Sequence, residues 1–151
     1  MEIVVDDLSD PRTRALLAAH LAGMHAASPA TSVHALDVRE LTDPSVTVWS
    51  ARTSTHVAGI AALKTLDTDR GEVKSMRVDD AFLGRGVGRA LVRHVVAVAR
   101  ERGLTSLWLE TGSTDEFVAA RRLYASEGFT ECPPFPPYVE DPFSVFFTRA
   151  L

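Results

Sequence analysis

A chain of 151 residues, 46% of them hydrophobic, with a mean hydropathy of +0.04, is sized for one soluble globular domain spanning residues 1–151. Its formal net charge of −4 gives no broad basic face for a nucleic-acid backbone. No apolar run reaches the length of a bilayer, residues 1–6 lack the layout of a signal peptide, and the single cysteine, Cys132, excludes an internal disulfide and disfavours a thiolate zinc site, so the expected setting is the cytoplasm.

In chain order, residues 1–5 read as a short strand, and a helix starts at Pro11, capped by Ser9 or Asp10 and ended by residues 28–32. Residues 34–41 can form a second helical turn. Residues 46–51 and 56–64 read as strands, with Gly59 marking a bulge or a close backbone approach. A polar turn at 66–71 lets residues 72–78 fold back as a third strand, which makes an antiparallel meander. After the glycine turn at 84–88, Val87, Leu91, Val95 and Val98 mark one face of a long helix that Gly103 stops. Residues 106–110 then return as a strand parallel to 72–78, a β-α-β crossover. A helix over 117–127 closed by Gly128, a short strand at 129–132, a stiff proline-rich loop and a last strand over 144–149 complete the chain.

Gly84, Gly86 and Gly88 alternate with Arg85, Val87 and Arg89 where that long helix begins. A backbone without side chains can approach an anion there, and the unpaired amides and dipole of a first helical turn favour a pyrophosphate. Arg85, Arg89 and Arg93 add positive charge at the same end.

This order of elements resembles the GNAT superfamily of acyl-CoA-dependent N-acetyltransferases. Leu83, Gly86 and Gly88 fall on the family's glycine motif, with Leu83 departing from its usual polar residue; Ala120, Leu123, Tyr124, Gly128 and Phe129 match its second signature, with Phe117 at the usual asparagine. The resemblance covers essentially the whole chain. It implies an α/β (α+β) fold: a mixed, mostly antiparallel central sheet with a β-α-β crossover and flanking helices. It also implies acetyl-CoA as acyl donor, lying in a V-shaped gap between residues 72–78 and 106–111. The backbone of Met76, Arg77 and Val78 would hold the pantetheine arm, and the amides of Gly84, Arg85, Gly86, Val87, Gly88 and Arg89 the pyrophosphate, with Phe117 and Tyr124 beside the donor.

Transfer needs a neutral amine, and an alkyl ammonium titrates near ~10, so a base or a water relay must take a proton. Glu72 and Glu110 are the two candidates, and the residues alone leave the choice open; strand alternation puts Glu110 on the face of Ser106 and Trp108. The resemblance implies an oxyanion donor at the amide of Met76 or Arg77 and a general acid at Tyr124. It places His25, His34, Glu110, Phe117, Phe135, Tyr138 and Glu140 around the acceptor. No metal site is expected, since His20, His25 and His34 have no carboxylate arrangement to complete one.

The expected activity is acetyl transfer to the amine of a small molecule in a ternary complex. A peptide or protein N-terminus is the second acceptor class. A non-catalytic acyl-CoA sensor would bind the donor and release no product, and a nucleotide-binding domain lacks its Gly-Lys-Ser/Thr signature here. No nucleic-acid or membrane partner is expected; a homodimer is expected by analogy alone.

Overall fold

The computed structural model describes residues 1–32 and 38–151. Its centre is a seven-stranded sheet built from β1 (Glu2–Val5), β2 (Val46–Arg52), β3 (Val57–Thr65), β4 (Arg70–Val78), β5 (Ser106–Gly112), β6 (Thr130–Cys132) and β7 (Ser144–Ala150). The order across it is β1-β2-β3-β4-β5-β7-β6. Only β4 and β5 run parallel; the other neighbours are antiparallel. The mixed, mostly antiparallel architecture with one crossover is the expected one.

Helices cover both faces. α3 (Val87–Glu101) turns Val87, Leu91, Val92, Val95, Val96 and Ala99 inward, and with α4 (Val118–Ser126) it closes a core containing Ala61, Leu63, Val73, Leu107, Leu109 and Phe147. On the opposite face α1 (Pro11–Ala27) and the short α2 (Val38–Leu41) cover Val48, Ile60 and Ala62 through Leu16, Leu17 and Leu41. A strand with apolar side chains on both faces belongs in the middle, and β3, buried from Val57 to Leu63, is that strand.

Local chemistry sets the element ends. Asp10 caps α1 by accepting from the Arg12 amide at 2.8 Å, with Pro11 in the first turn. The buried Asp6 carboxylate accepts from the Leu8 amide, the Thr13 hydroxyl and Arg52, which ties β1, α1 and β2 at one corner. Several boundaries differ from the expected ones. α4 begins at Val118, after a 3-10 turn over Asp115–Phe117, and β6 begins at Thr130 because the Phe129 amide donates to the Tyr124 carbonyl at the end of α4. Residues 38–41 are helical, whereas residues 34–37 of that expected turn lie outside the described residues. Among the described residues no helix is long and apolar enough to cross a membrane.

Gly59 is a close approach. A Cβ there would stand 2.9 Å from both Leu91 Cδ1 and Val87 Cγ1 and 3.0 Å from the Arg77 carbonyl, so α3 sits directly on the β3 backbone. Overpacking such a contact costs about 1–3 kcal/mol. Gly59→Ala is therefore expected to lower the melting temperature by several degrees; an unchanged thermal melt would show that α3 moves aside freely.

Candidate active site

β4 and β5 pair only through Arg70–Ser106, Gly71–Leu107 and Glu72–Trp108. Beyond these the strands part, so the expected V-shaped gap starts at Val73 and Leu109 and its base is closed. A bulge in β4 accompanies the parting: Ile60 faces Arg77 but Ala62 faces Lys74, and Ser75 takes the left-handed φ of 53° that absorbs the extra residue. The insertion resets the alternation of side chains. Val73, Met76 and Val78 turn to the α3–α4 core, and Arg77 reaches α1 beside Gly23.

The mouth of the gap meets the first turn of α3. Gly84 and Gly86 have φ of 73° and 80°, and a Cβ on either would meet nothing within 4 Å, so this loop is open on the side where side chains would stand. The first intrahelical bond runs from the Ala90 amide to the Gly86 carbonyl, leaving the amides of Gly86, Val87, Gly88 and Arg89 ahead of it. Gly88 packs tightly: a Cβ would lie 3.1 Å from Leu123 and 3.5 Å from Val78. That closeness sets the amides beside the end of β4. The arginines are differently employed than their clustering suggests. Arg89 and Arg93 both pair with Glu127, and Arg85 lies over the Phe82 ring at 5.4 Å. Leu83 is exposed.

On the α4 side of the gap, Tyr124 is buried with its ring against Phe129 and Phe147, at centroid distances of 5.8 and 6.3 Å. Burial raises its phenol above the ordinary value, and the charge of Glu110 adds to the effect. Phe117 lies across Gly112, where a Cβ would collide with its ring at 2.0 Å, and Arg121 braces the turn by donating to the carbonyls of Gly112 and Thr114.

The other face carries the buried polar groups. Glu72 is 3% exposed and its Oε2 accepts from the Tyr138 hydroxyl at 2.5 Å and from Lys74 Nζ at 3.2 Å; Lys74 Nζ also donates to the Tyr138 oxygen at 2.9 Å. Phe135, Tyr138 and Phe146 pack ring against ring with centroids 5.0–5.9 Å apart, and Trp108 joins them through Phe135. These rings fasten the strap of residues 133–143 over the Glu72–Trp108 pairing. The Ser113 hydroxyl and amide hold its far end through the carbonyls of Pro142 and Phe143. Glu110, opposite Phe146 in the β5–β7 ladder, is half-buried on this face, and burial pushes its carboxyl up to about 7. The Ser106–Trp108–Glu110 face is thus half-buried, while Leu107 and Leu109 on the other are fully buried.

Of the residues expected to meet the acceptor, Glu110, Phe135 and Tyr138 come together with Glu72. His25 is exposed in the last turn of α1, outside this cluster, Glu140 is exposed in the strap, and His34 lies outside the described residues. Sequence reasoning passed over Lys74 and Phe146. The signal for Lys74 was present: Glu72 and Lys74 stand two apart on a strand, which puts opposite charges on one face between apolar neighbours.

Residues 12–129 match the model of the acetyltransferase (GNAT) family. The chain is 46% identical over 149 residues to the uncharacterised N-acetyltransferase YedL of Escherichia coli, covering 99% of this chain and 94% of that one. It is 45% identical to the uncharacterised N-acetyltransferase YsnE of Bacillus subtilis over the whole of both chains. Among solved structures, a putative acyl-CoA N-acyltransferase from Klebsiella pneumoniae superposes with a TM-score of 0.80 at 27% identity, covering 99% of this chain and 97% of the other. With the gap, the amide-lined helix start and the match in sequence all agreeing, the chain belongs to the acetyltransferase (GNAT) family of acetyl-CoA-dependent N-acyltransferases.

Proposed function

We propose that this enzyme moves an acetyl group from acetyl-CoA to the primary amine of a small molecule by direct attack in a ternary complex. The observation that carries the reading is the parting of β4 and β5 after Glu72–Trp108, with Glu110 two residues past that pair on the strap face and Tyr124 buried in the core on the opposite face. The open-sided turn at Gly84 and Gly86, the free amides of Gly86 to Arg89 and the unpaired edge of β4 fit a pyrophosphate followed by a pantetheine arm, whose own two amides can pair with extended backbone. The donor supplies the activated carbonyl.

Glu110 is the better base. A carboxyl raised to about 7 is half ionised near neutral pH and can accept the amine's proton. Glu72, by contrast, is already bonded to an ammonium and a phenol and is sealed under the strap. The Met76 or Arg77 amide stabilises the developing oxyanion, a contribution of about 3 kcal/mol for one donor. Tyr124 then protonates the departing thiolate. Desolvation makes the phenol a weaker acid, but it acts on the thiolate as well and raises that group's demand for a proton.

Release of free CoA across an amine panel, with products checked by mass spectrometry, tests the activity; tight acetyl-CoA binding with no acylated product from any amine would favour a sensor. Tyr124→Phe is expected to lower turnover at least ~10-fold with acetyl-CoA affinity nearly unchanged, and unaltered turnover would remove Tyr124 from the mechanism. Wild-type kcat/KM should rise as pH rises through about 7, because the base works ionised. Glu110→Gln should abolish that limb and lower kcat/KM by about 100-fold or more. The same shift has a thermodynamic sign. A carboxyl raised from its ordinary 4.5 to about 7 binds its proton more tightly when folded, so its contribution to stability falls as pH rises through that window. Melts of the two proteins at about pH 5 and about pH 8 should therefore show Glu110→Gln gaining on wild type at the higher pH; equal differences at both would contradict the burial of the charge.

A further inference from the structure

We propose that Lys74 is a positioning residue for acyl transfer, whose ammonium locks Glu72 as a spectator and supplies the counter-charge that Glu110 faces across the gap. The inference rests on the reading of Glu110 as the base. Glu72 and Lys74 project from the same face of β4, immediately before the bulge, with side chains 3% and 7% exposed. A buried carboxylate is tolerated only when paired and hydrogen-bonded, and Glu72 meets both conditions through Lys74 and Tyr138. The Tyr138 phenol receives one N–H of Lys74 and gives its own proton to Glu72, so ammonium, phenol and carboxylate form a closed triangle. That triangle leaves Glu72 no role in accepting an amine's proton.

Glu110 sits among several charged and titratable groups. Glu72–Trp108 is the last β4–β5 pair, so Lys74 and Glu110, each two residues further along, stand opposite one another on the strap face; Asp141 faces Glu110 from the strap, Ser144 on β7 offers a hydroxyl, and Tyr124 from α4 and Tyr138 from the strap present phenols raised above their ordinary value. Lys74 is the one cation of that set, opposing two carboxylates. With it in place the half-buried Glu110 can still ionise near neutral pH; without it, Glu110 would face Glu72 and Asp141 with no opposing charge from the groups named here among the described residues. Deleting Lys74 alone would also disturb Glu72, so its charge is best isolated in a background where Glu72 is neutral.

The test needs no identified acceptor. Protein labelled with 13C at glutamate carboxyls is titrated by NMR, the Glu110 signal being assigned by its loss in Glu110→Gln. Glu72→Gln, which keeps the side-chain shape, should move the Glu110 midpoint below wild type. Adding Lys74→Met to it should raise the midpoint again, by about one pH unit. A purely structural Lys74 would change the melting temperature and leave the two midpoints equal, and equal midpoints overturn the proposal. With whichever amine turns over, the acid limb of kcat/KM should move in the same two directions. If Glu110→Gln leaves that limb intact, the base assignment fails. If Glu110→Gln erases it while the Glu72 and Lys74 variants leave it in place, the base stands and only the role of Lys74 fails. Loss of turnover in Glu72→Gln with retention in Glu110→Gln would make Glu72 the base and reverse the spectator reading.

Discussion

An unpaired strand edge inside a sheet is costly, because each N–H and C=O along it needs a partner that a buried apolar neighbour cannot give. β4 and β5 accept that constraint after three parallel pairs. What keeps the sheet intact is packing on its two faces rather than the ladder: α3 lies directly on the backbone of β3, and the strap bridges the last pairing from the opposite face. The opening therefore behaves as a fixed slot. A ligand that runs along β4 and offers amides of its own meets backbone groups already oriented toward it, with little ordering left to do.

The two sides of the slot solve different electrostatic problems. At the helix start, backbone amides and a helix dipole supply positive potential, and Glu127 offsets one of the two charges of Arg89 and Arg93. In the proposed donor site a pyrophosphate would be held by the direction of these amides together with the arginine charge that Glu127 leaves uncompensated. The strap face instead buries charged groups, Glu72 paired with Lys74 and Glu110 raised by burial to about 7, which in the proposed mechanism lets Glu110 take and release a proton near neutral pH.

Much of this was legible in the sequence. Periodicity and glycine placement gave the sheet meander, the crossover and the helix start, because each is dictated by local rules: alternation, a stop at Gly103, a turn that side chains would block. Gly59 announced its close contact for the same reason. The acceptor side was harder to read since its members come from distant segments: Glu72 and Lys74, Glu110, Tyr138 and Phe146 meet only through the topology of the sheet and the return of the strap. The proposed choice of Glu110 over Glu72 rests on the partners of Glu72, and no spacing rule connects residue 72 with residue 138. Arg89 was misleading in the same way, its partner Glu127 being a helix away. Ser75 gave no signal at all, as nothing in its neighbourhood marks a bulge at a residue other than glycine.

The placement of Glu110 and Tyr124 on opposite faces of one narrow slot has a dynamic consequence. Burial is the main cause that raises the Tyr124 phenol, and ionised Glu110 adds to it; in the proposed mechanism uptake of the amine's proton by Glu110 removes that added part. The phenol is then a somewhat stronger acid after base action than before it. In the proposed mechanism such coupling links proton uptake at the nucleophile to proton release at the leaving group through distance and dielectric alone.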